Sequence, residues 1–192
     1  MATHESQIYA DDQQFQRNTS RLTLEQRHDP AAAPLPPYYP DTPVFRQAWA
    51  RYSDNITAMD YWAGDLLRQL EDDGLADTTM VVFWSDHGLG MPRAKRWPYD
   101  SGLHVPLIVR WPGQITPGTI RTEPVALLDL AATVLVAAGL PLPAHLHAQP
   151  LFDAHGQPHA HPRRYIFGHR DRMSLSAARS LPRRVAWAAS SS

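Results

Sequence analysis

The stretch 78–111 constrains the fold of this chain more than any other part of it. It begins with the apolar run MVVFW at 80–84, whose length and composition predict a strand that is buried on both faces. A second run of this kind, VPLIV, lies at 105–109, and the polar segment SDHG follows the first run directly, at 85–88. Because open α/β sheets bind ligands beyond the carboxyl ends of their strands, we expect a ligand site there.

Asp86 and His87 are the side chains of this segment that suit a metal ion. Neighbouring side chains of a strand point to opposite faces, so both reach one ion only if the backbone turns, and Gly88 and Gly90 permit that turn. Lys95 follows in the same loop, and an anion suits a site that holds a cation and a lysine. Two simpler interpretations stay open from these residues alone: a loop cap at Asp86 and an ordinary hydrogen-bonded His87.

The longer pattern resembles the sulfatase family of the alkaline phosphatase superfamily, and in particular its bacterial sulfamidase-like members. The pattern comprises SDHG, a glycine-rich loop, Lys95, the residues Tyr99-Asp100-x-Gly102 and the run VPLIV. The resemblance implies that Asp86 and His87 bind a divalent metal ion, usually Ca²⁺, and that Lys95 binds the sulfate. It also implies an α/β fold, namely part of an alkaline-phosphatase-like sandwich, with a largely parallel sheet flanked by helices and truncated at both ends.

Further residues match substrate-contacting positions of the family. His4 is similar in order and setting to a sulfate-contacting histidine, which implies a catalytic role in assisting the leaving group. His169 and Arg170 end a short predicted strand that resembles the start of the small carboxyl-terminal subdomain in sulfamidase-like relatives, so they are predicted substrate contacts. The competing interpretation of His4 is a solvated histidine near the terminus.

A long helix is predicted ahead of the first strand. Thr42-Pro43 has the residues of an N-cap and first helical position, apolar residues then recur at steps of three and four, and Gly74 is a stop signal, so the helix is predicted over 43–72. Three carboxylates of this helix are interpreted as solvated or capping groups: Asp54, Asp60 and Asp65. The proline-rich connection before it, 30–43, is expected to pack onto the domain through its tyrosines.

After the second strand, a short strand is predicted at 119–123 and a second helix from Pro124 to a stop at Gly139. Asp129 of this helix receives no catalytic role, because the corresponding helix is structural in the family. Five histidines lie in the proline-rich segment 141–162, and we interpret that segment as a flexible loop rather than a metal site.

The resemblance also predicts the domain organisation. Residues 1–140 correspond to the carboxyl-terminal part of the catalytic α/β domain, and 141–173 to a connection into the small carboxyl-terminal subdomain. The tail 174–192 lacks strand alternation, so we predict that it is disordered or the product of a shifted reading frame.

Composition narrows the remaining choices. A formal net charge of −1 without a basic run gives no indication of a nucleic-acid surface. The absence of cysteine excludes disulfides, thiolate metal sites and cysteine nucleophiles. The apolar stretch 125–142 is too short to span a bilayer, so no membrane partner is expected, and the amino terminus does not resemble a signal peptide. Compartment, substrate identity and oligomeric state stay open.

The leading hypothesis is a fragment of a sulfuric ester hydrolase that cleaves a sulfate ester or sulfamate, most simply of a carbohydrate, with the help of a metal ion. Catalysis in the family needs a formylglycine, made from the Cys or Ser of a Cys/Ser-x-Pro-x-Arg signature, and the family's early Asp-Asp pair, which supplies the other metal ligands. We expect both to be absent from this chain. The isolated chain is therefore expected to be inactive and to bind calcium weakly or not at all.

Two alternatives stay open. One is a related phosphoesterase or phosphonate hydrolase of the same superfamily, because aspartate and histidine also suit zinc or manganese. The other is a non-catalytic remnant that binds sulfated glycans or a partner through Lys95, Arg93, Arg96 and exposed aromatic residues.

Overall fold

The computed structural model describes residues 12–95, 97–158, 163, 165–170 and 185–190, with the backbone alone for 169–170 and 185–190. It contains helices and strands, which confirms the predicted α/β class. The α-helices are α1 (Asp12–Asn18), α2 (Pro43–Asp72), α3 (Asp100–Leu103) and α4 (Leu128–Ala137). The strands are β1 (Val81–Trp84), β2 (Leu107–Arg110), β3 (Tyr165–Arg170) and β4 (Val185–Ser190).

The described residues divide into two compact units. The first comprises 12–76, 87–95 and 99–102, and the second comprises 77–86, 97–98 and the described residues from 103 onwards. The chain therefore passes from the second unit to the first between Asp86 and His87.

Helix α2 has the bounds that its sequence predicts, Pro43–Asp72. The Thr42 hydroxyl accepts a hydrogen bond from the backbone N–H of Phe45 at 3.4 Å, and Pro43 occupies the first turn, where a missing N–H costs nothing. Gly74 follows the helix with a φ of 69°, a conformation that favours glycine. Of the helices that the structure describes, none is both long and apolar enough to cross a membrane.

A small hydrophobic core in the first unit joins the proline-rich connection, α2 and the loop 87–95. Its members are Tyr39, Ala48 and Met91, with Phe45, Trp49 and Leu89 packed against them. The Tyr39 hydroxyl donates a hydrogen bond to the carbonyl oxygen of Pro92 at 2.8 Å, and burial raises the pKa of Tyr39 to about 12. The predicted packing of the connection onto the domain is thus confirmed at Tyr39, and the same contacts anchor the loop that carries Lys95.

The interpretation of Asp54 as a solvated or capping group is wrong. Asp54 is 4% exposed and accepts hydrogen bonds from both the backbone N–H and the Nδ1 of His28, at 2.8 and 2.9 Å. The Arg27 guanidinium lies 3.6 Å away and offsets the charge. These partners precede α2 in the chain, so helical periodicity alone does not indicate them. Asp60, in contrast, is exposed as predicted, and the Asp65 side chain keeps 44% of its surface in contact with solvent.

In the second unit, β1 and β2 form an antiparallel pair, with Val81 opposite Arg110 and Trp84 opposite Leu107. Both strand pairs among the described residues are antiparallel, so the predicted parallel arrangement is not seen there. The prediction that these strands are buried on both faces is also wrong, since Trp84 is 50% and Ile108 62% exposed.

Strand β3 begins at Tyr165, close to its predicted position, and pairs antiparallel with β4. Strand β4 lies within 174–192, so the prediction of a tail without regular structure does not hold for Val185–Ser190. The rest of that tail lies outside the described residues.

Helix α4 begins at Leu128 rather than at Pro124, and it ends before Gly139, whose φ is 69°. The segment 119–123 forms no strand, which contradicts its prediction. Asp129 is buried and accepts hydrogen bonds from Arg163 Nε and Nη2, at 2.9 and 2.7 Å, and from the backbone N–H of Ala126 and Gln149. Its role is therefore structural, because it ties the segment after α4 back onto the helix.

Candidate functional site

Asp86 lies just beyond the carboxyl end of β1, in the second unit, and its side chain is exposed. This is the end of a strand at which the sequence predicts a ligand site. His87 and Lys95 belong to the first unit. The predicted sharing of one site by Asp86, His87 and Lys95 therefore stays a prediction.

His87 is half-buried, and its Nδ1 lies 2.7 Å from the carbonyl oxygen of Gly88. A carbonyl oxygen can only accept, so this contact assigns the ring proton to Nδ1. In the neutral imidazole the lone pair is then on Nε2. Metal-binding histidines are commonly fixed in this way by a backbone carbonyl on the other ring nitrogen.

Gly88 packs closely against the backbone of α3. Its N–H donates to the carbonyl oxygen of Gly102 at 3.1 Å. A Cβ at position 88 would collide with the carbonyl oxygen of Ser101 and lie 2.8 Å from the Cα of Gly102. Glycine is needed here because the α3 backbone leaves no room for a Cβ. The sequence alone explains Gly88 only by the backbone conformations that glycine allows in a turn.

The backbone around Lys95 is held by the same loop. The N–H of Lys95 donates to the carbonyl oxygen of Leu89 at 3.0 Å, and the N–H of Ala94 to that of Met91 at 3.3 Å. Ala94 and Met91 are buried, and the Lys95 side chain is partly buried. Lys95, the only lysine in the sequence, thus extends from an anchored backbone.

Arg93 has a contact that sequence reasoning missed. Its guanidinium lies over the rings of Tyr38 and Tyr99, with its central carbon 5.3 and 4.9 Å from the ring centroids. Its backbone has a φ of 66°, which is rare outside glycine. No local pattern indicates this contact, because Tyr38 lies in a different segment.

The described residues do not make a complete metal site. Among them, no group of three or more His, Cys, Asp or Glu side chains is placed to hold an ion. One carboxylate and one imidazole also fall short of the six to eight oxygens that Ca²⁺ takes. The donors of Asp86 and His87 fit a divalent ion as part of a ligand set, and that set needs groups from outside the described residues.

Other predicted site residues are not tested by the structure. His4 lies outside the described residues, as do the side chains of His169 and Arg170. The backbone just before His169 and Arg170 packs against the Leu103 side chain, since a Cβ on Gly168 would lie 2.7 Å from Leu103 Cδ1. Arg96 also lies outside the described residues.

Solved structures of two other proteins share this fold. One is a phosphonate monoester hydrolase from Silicibacter pomeroyi, with a TM-score of 0.62 and 27% identity, over 82% of this chain and 31% of that one. The other, a protein in complex with its substrate D-glucosamine-2-N,6-O-disulfate, has a TM-score of 0.63 and 27% identity over 77% and 31% of the respective chains. The fold is thus that of the alkaline-phosphatase-like hydrolases.

The family follows from a second comparison. The family model described as Sulfatase matches residues 1–140, which include SDHG and Lys95. The chain belongs to the sulfatase family.

Curated relatives agree with this assignment. The chain is 43% identical over 106 residues to an ulvan-active sulfatase of Formosa agariphila, which covers 55% of this chain and 18% of the relative. It is 32% identical over 121 residues to human N-sulphoglucosamine sulphohydrolase, over 62% of this chain and 24% of the relative. The chain therefore spans about a fifth of the length of these relatives.

The sequence itself corrects one expectation. The letters Ser180-Leu181-Pro182-Arg183-Arg184 match Ser-x-Pro-x-Arg, a pattern that we expected to be absent. A pattern with three fixed positions is short enough to occur by chance, and these five residues lie outside the described residues. We assign no role to Ser180.

Proposed function

We propose that this chain is part of a sulfatase that hydrolyses a sulfate ester or sulfamate of a carbohydrate. The observation that carries the proposal is the segment SDHG directly after β1, followed by an anchored loop with Lys95, inside the region matched by the sulfatase model. The names of two relatives, an ulvan-active sulfatase and an N-sulphoglucosamine sulphohydrolase, favour a sulfated carbohydrate as substrate.

In this proposal Asp86 and His87 hold part of the coordination of a divalent ion, most simply Ca²⁺, and ligands from outside the described residues complete it. The ion, when bound, supplies positive charge that neutralises the sulfate oxygens. The Nδ1–H of His87 donates to Gly88 and thereby orients Nε2 as the ligand atom.

Lys95 binds the sulfate through its ammonium group, which stabilises the negative charge that develops during cleavage. His4 assists the departure of the leaving group, and His169 and Arg170 contact the rest of the substrate. We expect the chain alone to be inactive, since its described residues supply no complete set of metal ligands and we assign no role as nucleophile to Ser180.

Two assays test this proposal. The chain is first incubated with 4-nitrophenyl sulfate and Ca²⁺, and we expect no turnover above that of Lys95→Ala. Turnover above that control would overturn the inactivity. The chain is then assayed within a longer product of its source gene that carries a Cys/Ser-x-Pro-x-Arg signature upstream.

In the longer product we expect sulfate release that Lys95→Ala abolishes and Arg17→Ala leaves unchanged. Arg17 is a suitable control because it is an exposed cation on α1. Equal activity of the two variants would exclude Lys95 as a sulfate ligand.

A second candidate function is phosphonate monoester hydrolysis, which the solved hydrolase from Silicibacter pomeroyi favours. Zinc or manganese then replaces calcium at Asp86 and His87. The two candidates separate when the longer product is given 4-nitrophenyl phenylphosphonate and 4-nitrophenyl sulfate in parallel, each with Ca²⁺, Mn²⁺ or Zn²⁺. Faster phosphonate cleavage would favour the second candidate.

A third candidate is a glycan-binding remnant without activity. It is favoured by the placement of Arg93 and Lys95 on one anchored loop. Retention on a sulfated glycan column without hydrolysis, lost on charge reversal at both residues, would support it. Hydrolysis by the longer product would exclude it.

A further inference from the structure

Arg93, Tyr38 and Tyr99 form an exposed cluster in the first unit, which we call the Arg93 cluster. Tyr38 is 43% and Tyr99 41% exposed, and the Arg93 side chain, whose guanidinium lies over both rings, is exposed as well. Within the part of the chain that the structure describes, no carboxylate forms an ion pair with Arg93. Arg46 and Arg163, in contrast, each form such a pair.

The cation–π contacts leave the hydrogen-bonding capacity of the guanidinium in place. An arginine over an aromatic ring engages the ring through its flat face, and its N–H donors point outward in the plane of the group. Two rings on one guanidinium also limit its side-chain freedom, so less entropy is lost when it binds a ligand. A planar fork of donors held in this way suits the oxygens of a sulfate.

The backbone of Arg93 is fixed as firmly as its side chain. The carbonyl oxygen of Arg93 accepts a hydrogen bond from the Ser101 hydroxyl at 2.7 Å. The neighbouring Ala94 is fully buried. A non-glycine residue with a φ of 66° therefore persists because its surroundings hold it there, a situation typical of binding sites.

Arg93 also lies close to the residue that the proposed function assigns to sulfate. Two peptide bonds separate it from Lys95, so their Cα atoms are at most about 7 Å apart. Both side chains are long enough to contact separate anionic groups of one sugar residue.

We propose that Arg93, whose guanidinium lies over the rings of Tyr38 and Tyr99, binds a second sulfate group of the substrate, so that the enzyme prefers disulfated to monosulfated saccharides. This inference rests on the proposed function, since it takes Lys95 as the ligand of the first sulfate. It makes Arg93 a specificity residue, with no part in the reaction at the first sulfate.

The test uses the full chain and its only lysine. Reductive methylation with ¹³C-formaldehyde labels Lys95 and the terminal amine and keeps the positive charge of both. The Lys95 methyl signal is followed by NMR during titration with N-acetyl-D-glucosamine-6-O-sulfate, whose nitrogen is uncharged, and with D-glucosamine-2-N,6-O-disulfate. We expect the disulfated sugar to bind about tenfold more tightly, as one added charge-assisted interaction allows.

Arg93→Gln should remove most of this preference and change the Kd of the monosulfated sugar by less than about twofold. Arg17→Gln, which removes an exposed positive charge elsewhere, should leave the preference intact. Arg93→Lys keeps the charge without the planar arrangement of donors and should retain only part of the preference for the disulfated sugar. Tyr99→Phe keeps the ring and should retain all of it.

The outcomes separate the two proposals. If Arg93→Gln and Arg93→Lys both keep the full preference, the inference is wrong and the role of Lys95 stands. If neither sugar shifts the Lys95 signal in the unsubstituted chain, the chain does not bind these saccharides through Arg93 and Lys95, and the inference is overturned. The role of Lys95 in the reaction is then decided separately, by sulfate release from the longer product and its Lys95→Ala variant. Far-UV circular dichroism is measured for each variant. If an Arg93 variant loses binding of both sugars and also its helical spectrum, Arg93 is structural and the inference is wrong.

Discussion

Replacement of Asp129 by asparagine should destabilise the chain far more than an equivalent change on its surface. The carboxylate is 2% exposed and accepts four hydrogen bonds, two from Arg163 and one each from the backbone N–H of Ala126 and Gln149. The asparagine side chain keeps the shape but presents an N–H₂ group to some of these donors and leaves the guanidinium without its counter-charge. Asp129→Asn therefore removes charge-assisted hydrogen bonds and also leaves the positive charge of Arg163 uncompensated.

The burial of Asp129 sets the size of the expected loss in the free energy of unfolding. Removal of one partner of a buried ion pair costs about 3–5 kcal/mol. The Arg163 side chain is 23% exposed and keeps part of its hydration, so we expect the lower end, about 3 kcal/mol. Asp65 pairs with Arg21 and Arg68 at the surface, where water screens the charges, so Asp65→Asn should lower the free energy of unfolding far less than Asp129→Asn.

The pH dependence of this contribution has a definite sign. Burial alone raises the pKa of Asp129, but the hydrogen bonds from Arg163, Gln149 and Ala126 outweigh it and hold that pKa below its ordinary value. The stabilisation is therefore complete above the unfolded pKa of about 3.9 and is lost as pH falls through the lower folded pKa. The difference between the wild-type chain and Asp129→Asn should shrink over that acidic range.

Urea unfolding followed by far-UV circular dichroism measures these differences at pH 7 and down to pH 3. A free energy of unfolding for Asp129→Asn within about 1 kcal/mol of wild type, or equal to that of Asp65→Asn, would refute the reasoning. The double variant Asp129→Asn/Arg163→Met isolates the pair, and it should recover part of the loss, because no uncompensated guanidinium is left.

Three further predictions concern single positions. Gly88→Ala should lower the free energy of unfolding by about 1–3 kcal/mol, because the added Cβ collides with the α3 backbone. Gly64→Ala should instead raise it by about 0.5–1 kcal/mol, since the added Cβ makes only an ordinary contact and alanine favours the helix. Thermal unfolding distinguishes the two, and equal shifts would contradict the close approach at Gly88. Burial raises the pKa of Tyr39 to about 12, so wild-type stability should fall relative to Tyr39→Phe as pH rises from about 10 towards 12; parallel stability curves in alkaline urea titrations would argue against a buried phenol. Peptide mass spectrometry of the chain co-expressed with a formylglycine-generating enzyme should find an unmodified serine at Ser180, and loss of two hydrogens there would overturn the expected inactivity.

The sequence by itself determined the features that depend on neighbouring residues. Thr42, Pro43 and Gly74 fix the ends of α2, because capping and a left-handed stop involve only adjacent backbone groups. The succession of strand, SDHG and Lys95 likewise identified the family, since such a motif is a local pattern.

Only the tertiary structure decided which polar groups are buried and which strands pair. Asp54 looks like any surface carboxylate of a long helix until His28 and Arg27 are placed beside it. The antiparallel pairing of β1 with β2 likewise follows from packing rather than from their apolar composition. Arg93 meets Tyr38 because the proline-rich connection folds back against the loop, and periodicity carries no information about contacts between distant segments.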